Sequence, residues 1–209
     1  MAISDAYATA AEYRGRVTKT DTADDATILT QLTAVSRYLE NRTGQFFNQD
    51  AALVQRYYPR VVNAGGGSRL KVDPIATATG LVVKWDDAGT FAYGTTLAIT
   101  TDFFLAPYNA AREPEALPWT YLELNPKSAV LGSWPTSARS IEVTAKFGWP
   151  AVPAAIKELT IAITREVRDL QESGATAALQ SIDAVISESR ELTFLMRNIE
   201  NTYRTFGGF

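Results

Sequence analysis

The chain of 209 residues contains no histidine and no cysteine. Without cysteine there is no disulfide framework, no thiolate nucleophile and no cysteine-based zinc site. Without histidine there is no side chain with an unperturbed pKa near neutrality, which excludes a Ser-His-Asp triad and imidazole metal ligands. Because the usual components of most active sites are missing, the sequence predicts no enzyme, no cofactor and no metal site.

Long apolar runs are also missing, so no membrane span is predicted. The segment that follows Met1 has neither a charged n-region nor an apolar h-region, so no signal peptide is expected. The 20 basic and 23 acidic residues give a net charge of −3. This balance argues against a nucleic-acid-binding surface as the main function. We expect a protein that is made and kept in a cytoplasm.

The composition changes twice along the chain. All nine prolines and all four tryptophans lie between Pro59 and Pro153. The pattern predicts an α+β fold, in which a small helical bundle from both chain ends carries a central β-rich hairpin excursion. The expected order within this single domain is N-terminal helices over 1–45, the β-rich insertion over 46–150, C-terminal helices over 153–206 and a flexible tip over 207–209.

The N-terminal flank has the clearest helical pattern. Apolar residues recur there at steps of four, three and four, as Ile28, Leu32, Val35 and Leu39. Asp24 and Asp25 precede them, where acidic groups favour a helix start, and Gly44 follows as a residue typical of a helix end. A shorter helix is expected before this one, with Ser4 as its N-cap and with Tyr7, Ala11 and Tyr13 packed against the bundle.

The C-terminal flank predicts two more helices. Pro153 is typical of a first helical turn, and Ser173-Gly174 is predicted to end the helix that follows. Its apolar stripe comprises Ile156, Leu159, Ile163, Val167 and Leu170. The last helix is predicted from Leu192, Leu195, Met196, Ile199, Tyr203 and Phe206.

The centre of the chain predicts short strands separated by turns. Residues 141–147 alternate between apolar and polar side chains, as expected for a strand with one buried face. The predicted strands are Ala52–Tyr58, Arg69–Val72, Leu81–Trp85, Phe91–Tyr93, Phe103–Ala106, Thr120–Leu124 and Ser140–Phe147. Asp86–Gly89 is predicted to form a hairpin turn, and Asn63–Ser68 and Asn109–Pro118 are predicted to be exposed loops.

Three groups of residues are candidates for a binding or catalytic site. Gly65-Gly66-Gly67 lacks the Gly-Lys-Ser/Thr of a phosphate loop and is interpreted as a hairpin connection. The acidic pairs Asp86/Asp87 and Glu113/Glu115 are interpreted as turn and loop residues, since nothing raises one pKa selectively. The four tryptophans could form a sugar-stacking platform, but packing in a core or an interface is favoured.

The C-terminal tail is the strongest candidate for partner binding. Tyr203, Arg204, Phe206 and Phe209 form an aromatic–arginine string after an amphipathic helix. These residue types are enriched in protein interfaces and their hot spots. We expect this tail to dock onto a partner or a neighbouring subunit.

Taken together, the chain resembles the head–tail connector, or adaptor, family of tailed bacteriophages. The most typical stretch is Asp24–Phe47, with its acidic start, small-residue helix and Thr-Gly-x-x-Phe exit. Three further stretches occur in the expected order: Gln55–Tyr58, Thr144–Trp149 and Val152–Lys157. The resemblance covers about residues 7–172, and the tail beyond them departs from it.

The resemblance implies a virion structural protein without catalytic activity. Members form a homo-oligomeric ring, typically a dodecamer, between the portal and a stopper or tail-completion protein. Double-stranded DNA passes through the ring without sequence-specific binding. The implied portal contacts are Tyr203, Arg204, Phe206 and Phe209, and the implied neck-facing or inter-subunit loop residues are Gly65, Gly66, Gly67, Asn109, Arg112 and Trp119.

Three alternatives remain open at this stage. The first is another neck component, a stopper or a tail terminator, and such proteins are dominated by β-structure. The second is a carbohydrate-binding module that uses exposed tryptophans. The third is a hydrolase built on carboxylates.

The small negative net charge also fits a channel wall, because few lysine and arginine side chains are then available to bind the phosphates of passing DNA.

Overall fold

A computed structural model describes residues 6–18, 20–58, 68–112, 116–173 and 181–203. The chain divides into two compact units. Unit 1 comprises Met1–Phe47 and Val152–Phe209, and unit 2 comprises Asn48–Ala151. Unit 1 contains 11 basic and 14 acidic residues and unit 2 contains nine of each, so the whole net charge belongs to unit 1.

In the described part of the chain, unit 1 is built from five α-helices and unit 2 contains a six-stranded antiparallel sheet, which confirms the predicted α+β class. The helices are α1 (Ala10–Val17), α2 (Asp25–Thr43), α3 (Ala154–Glu172), α4 (Ile182–Glu188) and α5 (Arg190–Tyr203). The sequence predicts one helix after α3, whereas the structure has two, α4 and α5; α4 was not predicted. None of the described helices is both long and apolar enough to cross a membrane.

Helix α2 follows its sequence pattern closely. Its four stripe residues, Ile28, Leu32, Val35 and Leu39, are all buried. The helix ends at Gly44, which adopts a left-handed φ of 66° while its N–H donates to the Glu40 carbonyl. Glycine adopts this conformation without the steric penalty that a Cβ would bring, and the predicted helix end is therefore confirmed.

The first helix begins later than predicted. Its N-cap is Thr9 rather than Ser4: the Thr9 Oγ1 accepts from the Glu12 N–H at 3.2 Å, and the Glu12 Oε2 accepts from the Thr9 N–H at 2.8 Å. This reciprocal pair is a capping box. Tyr7 precedes the helix and is buried, with its N–H donating to Ser36 of α2 at 3.0 Å, whereas Ala11 is exposed. The expected packing is confirmed for Tyr7 and Tyr13 and is wrong for Ala11.

Unit 2 is organised around a sheet with strand order β1-β6-β2-β5-β4, in which β3 pairs with β2. The last strand, β6, lies between β1 and β2 and places Ile141, Val143, Ala145 and Phe147 in the core, as the alternation predicts. The strands are β1 (Val54–Tyr58), β2 (Arg69–Trp85), β3 (Thr95–Leu97), β4 (Phe103–Ala106), β5 (Trp119–Leu124) and β6 (Ile141–Phe147).

Strand β2 corrects one prediction, because it runs continuously through Asp73-Pro74 instead of stopping there. Lys71 pairs with Tyr121 and Ile75 pairs with Trp119, so the residues between them on β2 outnumber those on β5. The surplus residues form a bulge. Proline has no N–H to give to the ladder, and a bulge is where a strand tolerates it.

A second correction concerns Phe91–Tyr93, which is not a strand. The strand that pairs with the end of β2 is β3, with Trp85 opposite Thr95. Phe91 and Tyr93 have left-handed φ angles of 60° and 47°, and this conformation cannot continue a β-ladder. The connection between β2 and β3 therefore spans residues 86–94 and is longer than the predicted four-residue turn.

Candidate interaction surface

An aromatic–arginine cluster lies in unit 2, formed by Tyr57, Phe91, Tyr93 and Arg139. Tyr57 belongs to β1, Phe91 and Tyr93 to the β2–β3 connection, and Arg139 to the segment before β6. The sheet brings these segments together because β6 pairs with both β1 and β2. Phe91 is the outermost member, with 59% of its surface exposed.

The Arg139 guanidinium lies against two aromatic rings. Its Cζ is 4.6 Å from the Tyr57 ring centroid and 5.6 Å from that of Phe91. Both distances are within the range of cation–π attraction. The Tyr57 and Tyr93 rings are 5.5 Å apart, and the Tyr93 hydroxyl donates to the Arg139 carbonyl at 2.7 Å. Burial raises the pKa of Tyr93, so its hydroxyl remains a protonated donor to higher pH than that of an exposed tyrosine.

A buried carboxylate, Asp86, holds the connection in place. Its Oδ1 accepts from the Thr90 N–H at 3.1 Å and its Oδ2 accepts from the Phe91 N–H at 2.9 Å. The Asp86 N–H in turn donates to the Ser140 carbonyl, next to Arg139, at 2.9 Å. One side chain thus fixes the backbone on which Phe91 is presented.

The backbone of this cluster is strained at three positions. Phe91, Tyr93 and Arg139 all have φ between 47° and 60°, although none of them is glycine. Such conformations are costly for bulky residues and persist where the surrounding structure enforces them. They concentrate at binding and switch sites, and the strain here marks the cluster as a candidate site.

Electrostatics point the same way. Among the described residues, Arg139 makes no ion pair with a carboxylate, and its guanidinium lies against the rings of Tyr57 and Phe91. Arginine and tyrosine are enriched at interface hot spots, and phenylalanine is enriched in interfaces generally. The arrangement is able to receive a carboxylate together with an apolar side chain.

Removing the Asp86 carboxylate should weaken this arrangement. In Asp86→Ala the Thr90 and Phe91 N–H groups lose their acceptors, and we expect the free energy of unfolding of unit 2 to fall by about 1–3 kcal/mol. The matched control is Asp87→Ala, because Asp87 is exposed and accepts only from the Thr95 hydroxyl at 3.2 Å. Urea denaturation compares the two variants, and equal losses would contradict this role of Asp86.

Unit 1 has a surface groove of about 510 Å³ between the segment before α1 and the start of α2. Small apolar side chains form most of its wall, and Leu29 lies there with 48% of its surface exposed. The groove is lined by Ala6, Ala8, Thr9, Ala10, Asp25, Ala26 and Leu29. Its polar residues are Thr9, whose hydroxyl takes part in the capping box of α1, and Asp25, whose buried Oδ1 lies 3.4 Å from Arg14 Nη1.

The residues predicted to bind the portal are only partly described. Tyr203 is the last residue of α5 and is buried, with its ring 5.2 Å from that of Phe47 in an edge-to-face arrangement. The structure thus places Tyr203 in the packing of unit 1. Arg204, Phe206 and Phe209 lie outside the described residues, and portal contact stays a prediction for all four.

The predicted loop residues are placed as follows. Asn109 is exposed, as expected, and Arg112 ends a single 3-10 turn, Ala110–Arg112. Trp119 is not a loop residue: it begins β5, pairs with Ile75 and packs half-buried against the core. Trp119 is included in β5 because the bulge of β2 places Ile75 opposite it, where the two residues pair. Gly65, Gly66 and Gly67 lie outside the described residues.

The tryptophans do not form a sugar-binding platform. Trp134 and Trp149 are buried, and Trp85 and Trp119 are half-buried against the core of unit 2. Trp134 also donates its Nε1–H to the Ser68 carbonyl at 3.0 Å. The favoured interpretation, packing, is confirmed, and the exposed platform is wrong.

The candidate acidic pairs give no catalytic arrangement in the described chain. Asp86 holds backbone N–H groups and Asp87 points to the Thr95 hydroxyl, so the two neighbours serve different local bonds. Glu113 and Glu115 lie outside the described residues. Within the described ranges, no group of three or more acidic side chains is arranged to hold a metal ion.

Sequence reasoning missed Arg139 and misplaced Phe91. Arg139 stands in a segment without a motif, and its neighbours in space come from distant parts of the chain. The available signal was weak: a phenylalanine and a tyrosine beside glycines, after an Asp-Asp-Ala-Gly turn. That pattern predicted a hairpin but not which residues would lie together at its base.

Comparison with known proteins found no family model and no curated protein that matches the chain. Several chains of solved structures are similar to it, including two from gene transfer agent particles. One is a chain from the neck of an empty gene transfer agent particle computed with C6 symmetry, at 21% identity and a TM-score of 0.45. The other is a chain from the virion of a native gene transfer agent particle, at 24% identity and a TM-score of 0.46. Each similarity covers 86% of this chain and 87% of the other.

Proposed function

We propose that this protein is a non-enzymatic structural component of the neck of a tailed-phage-like particle. Its copies form a ring adaptor between the portal and a stopper or tail-completion protein, and the ring extends the DNA channel. The similar chains are described as parts of a gene transfer agent neck and virion, and the proposed role is of the same kind. Because the rings of the phage adaptor family that the chain resembles are typically dodecamers, the proposed ring has twelve copies.

The observation that carries the proposal is where the phage-adaptor-like segments lie in the fold. Residues 24–47 form α2 and its exit, residues 144–149 comprise the end of β6 and the two residues after it, and residues 152–157 lead into the first turn of α3. The chain leaves unit 1 after Phe47 and returns to it at Val152. The typical segments therefore lie beside the two points where the chain passes between unit 1 and unit 2. A helical bundle with a β-rich excursion is the architecture that the resemblance implies.

The surface chemistry supports an assembly role. Unit 2 presents an arginine stacked on aromatic rings, and unit 1 presents an open apolar groove. A ring requires two different faces on each copy, because neighbouring copies meet head to tail. The two surfaces belong to different units and supply two such faces.

Contacts beyond the ring follow from the same proposal. Tyr203, Arg204, Phe206 and Phe209 are the proposed portal contacts, and the ring of Tyr203 also packs against Phe47 within unit 1. DNA passes along the channel wall without sequence-specific contacts. The excess of acidic over basic residues in unit 1 is consistent with a wall that does not bind phosphate groups. The protein resides in the neck of the virion after synthesis in the host cytoplasm.

A stopper or tail terminator is the second candidate from the same setting. Five described helices and a sheet confined to unit 2 favour the adaptor, since stoppers and terminators are expected to be mainly β. The carbohydrate-binding module loses its basis because none of the four tryptophans is exposed.

Labelled particles test the proposal. We expect a tagged copy of the chain to be incorporated into virions and, in negative-stain images, to place its label at the junction of head and tail. Particles made without the chain should accumulate as separate filled heads and tails. A tagged capsid protein serves as the control for label position, and a label on the shell or along the tail tube would refute the neck assignment.

A further inference from the structure

We propose that Phe91 and Arg139 of one copy dock into the groove at the start of α2 in a second copy. The inference rests on the proposed function in that it assigns the contact by which neighbouring copies in the ring associate. Two faces of one chain would then meet head to tail.

Shape comes first. Phe91 projects from unit 2 with 59% of its surface exposed, and a large exposed aromatic side chain is typical of an interface anchor. The groove of unit 1 has a volume of about 510 Å³ and a wall of alanine side chains with Leu29. Small side chains leave room for an inserted ring, and the 48% exposure of Leu29 provides apolar surface that the ring would cover.

Charge selects the same pair of surfaces. Arg139 lacks a carboxylate partner among the described residues, while the groove contains the Asp25 carboxylate. The Asp25 Oδ1 is buried and faces Arg14 Nη1 at 3.4 Å, while 36% of the Asp25 side chain remains exposed. A docked guanidinium would bond the exposed part of this carboxylate, and charge-assisted bonds of this kind are strong. Unit 1 as a whole is acidic and unit 2 is neutral.

Rigidity favours binding over simple exposure. Asp86 fixes the Phe91 N–H, and Tyr93 bonds the Arg139 carbonyl, so the aromatic–arginine cluster is held before any partner arrives. A preorganised anchor loses little conformational entropy on docking. The positive φ angles of Phe91 and Arg139 are then the strain that keeps both side chains directed outward.

Because Phe91 and Arg139 belong to unit 2 and the groove to unit 1, the contact is heterologous. Such a contact repeats from copy to copy and closes into a ring when the rotation permits. An acidic segment of a different neck protein is the competing occupant of the aromatic–arginine cluster, and the experiment below separates it from a second copy.

The absence of cysteine makes a cross-linking test clean, because introduced thiols are the only ones present. Thr90→Cys and Ala26→Cys chains, one carrying an extra tag, are mixed and mildly oxidised. Both residues are exposed, and both substitutions keep Phe91, Arg139 and Leu29 in place. The control pair is Tyr108→Cys with Ala26→Cys, since Tyr108 is 61% exposed and also lies in unit 2. We expect a disulfide-linked mixed dimer in at least about tenfold greater yield with Thr90→Cys than with Tyr108→Cys, because docking raises the effective concentration of the two thiols.

Sedimentation velocity gives the independent readout. Compared with the wild-type protein, three variants should show less of the assembled species and more monomer: Phe91→Ala, Arg139→Glu and Ala26→Trp. The Tyr108→Ala variant should sediment like the wild type. Ala26 is exposed on α2, so a tryptophan there fills the groove without entering the core. Circular dichroism of each variant confirms that the loss is not unfolding.

The outcomes separate the two proposals. Equal cross-linking by Thr90→Cys and Tyr108→Cys, in a chain that still assembles and labels the neck, overturns this interface but leaves the neck role standing. Loss of binding to another neck protein in Phe91→Ala, with self-association unchanged, also overturns it in favour of the competing occupant. A label away from the neck defeats the proposed function itself, whatever the cross-linking shows.

Discussion

Replacing Gly148 with alanine should lower the free energy of unfolding of unit 2 by about 3–5 kcal/mol. Gly148 follows β6 with a φ of 110°, a conformation that side-chain-bearing residues rarely adopt. A Cβ at this position would lie 1.9 Å from the Asn48 carbonyl oxygen and 2.9 Å from its carbonyl carbon. Backbone strain and overpacking contribute about 1–3 kcal/mol each, and the contacting atoms belong to backbone that cannot rotate away.

The close approach at Gly148 is enforced from several directions. Its N–H donates to the Pro74 carbonyl at 2.8 Å, and the residue forms an isolated bridge with Gln49. On the neighbouring residues, the Asp50 N–H donates to the Phe147 carbonyl at 2.8 Å. The alanine methyl group therefore has to push apart the segments through which the chain enters and leaves unit 2.

Tryptophan fluorescence during urea denaturation measures this effect selectively, because all four tryptophans belong to unit 2. Gly94→Ala is the matched control: it lies in the same unit, and no atom lies within 4 Å of the added Cβ. We expect that control to stay within about 0.5 kcal/mol of the unchanged protein. A similar small change in Gly148→Ala would show that the 48–50 segment yields easily.

The second large effect is expected in unit 1, where Phe47→Ala should lower the free energy of unfolding by about 3–5 kcal/mol. The Phe47 side chain is fully buried. Its ring contacts those of Tyr7 and Tyr203 edge to face, at centroid distances of 5.6 and 5.2 Å. Removal of the ring leaves a cavity between the two tyrosines and forfeits both aromatic contacts.

Helical circular dichroism follows this transition, since the five described α-helices all belong to unit 1. The neighbouring Phe46→Ala is the control, because Phe46 is 37% exposed and should cost less than about 1 kcal/mol. If both variants lost the same stability, the assignment of Tyr203 to the core of unit 1 would be untenable. The result also bears on the tail, because Tyr203 is where α5 ends.

Helices and simple strands were predictable because their signals are local. The stripe of α2 and the left-handed Gly44 follow from spacing and from the conformational freedom of glycine, and both are confirmed. The alternation over 141–147 likewise gave the buried face of β6. Such patterns depend only on neighbours along the chain, and the tertiary structure had no reason to override them.

The errors occur where long-range bonds compete with local preference. Pro74 was expected to end a strand, but the two flanking ladders hold β2 together across a bulge. Phe91–Tyr93 has strand-forming composition, yet the Asp86 carboxylate captures the Phe91 N–H and turns the backbone into the left-handed region. Neither bond is visible from residue spacing.

The sequence alone determined the absence of histidine and cysteine, the helices at both chain ends and the β-rich centre. Composition is read directly from the sequence, and the periodicity that produces helices and strands depends only on residues close together in the chain. Only the tertiary structure decided that Arg139 stacks between Tyr57 and Phe91, and that alanines beside Asp25 line a groove. Both surfaces join residues that are distant in the chain, through the pairing of β6 with β1 and β2 and the packing of the N-terminal segment on α2. An interaction surface depends on which side chains the folded backbone leaves exposed together, and that choice is made by packing.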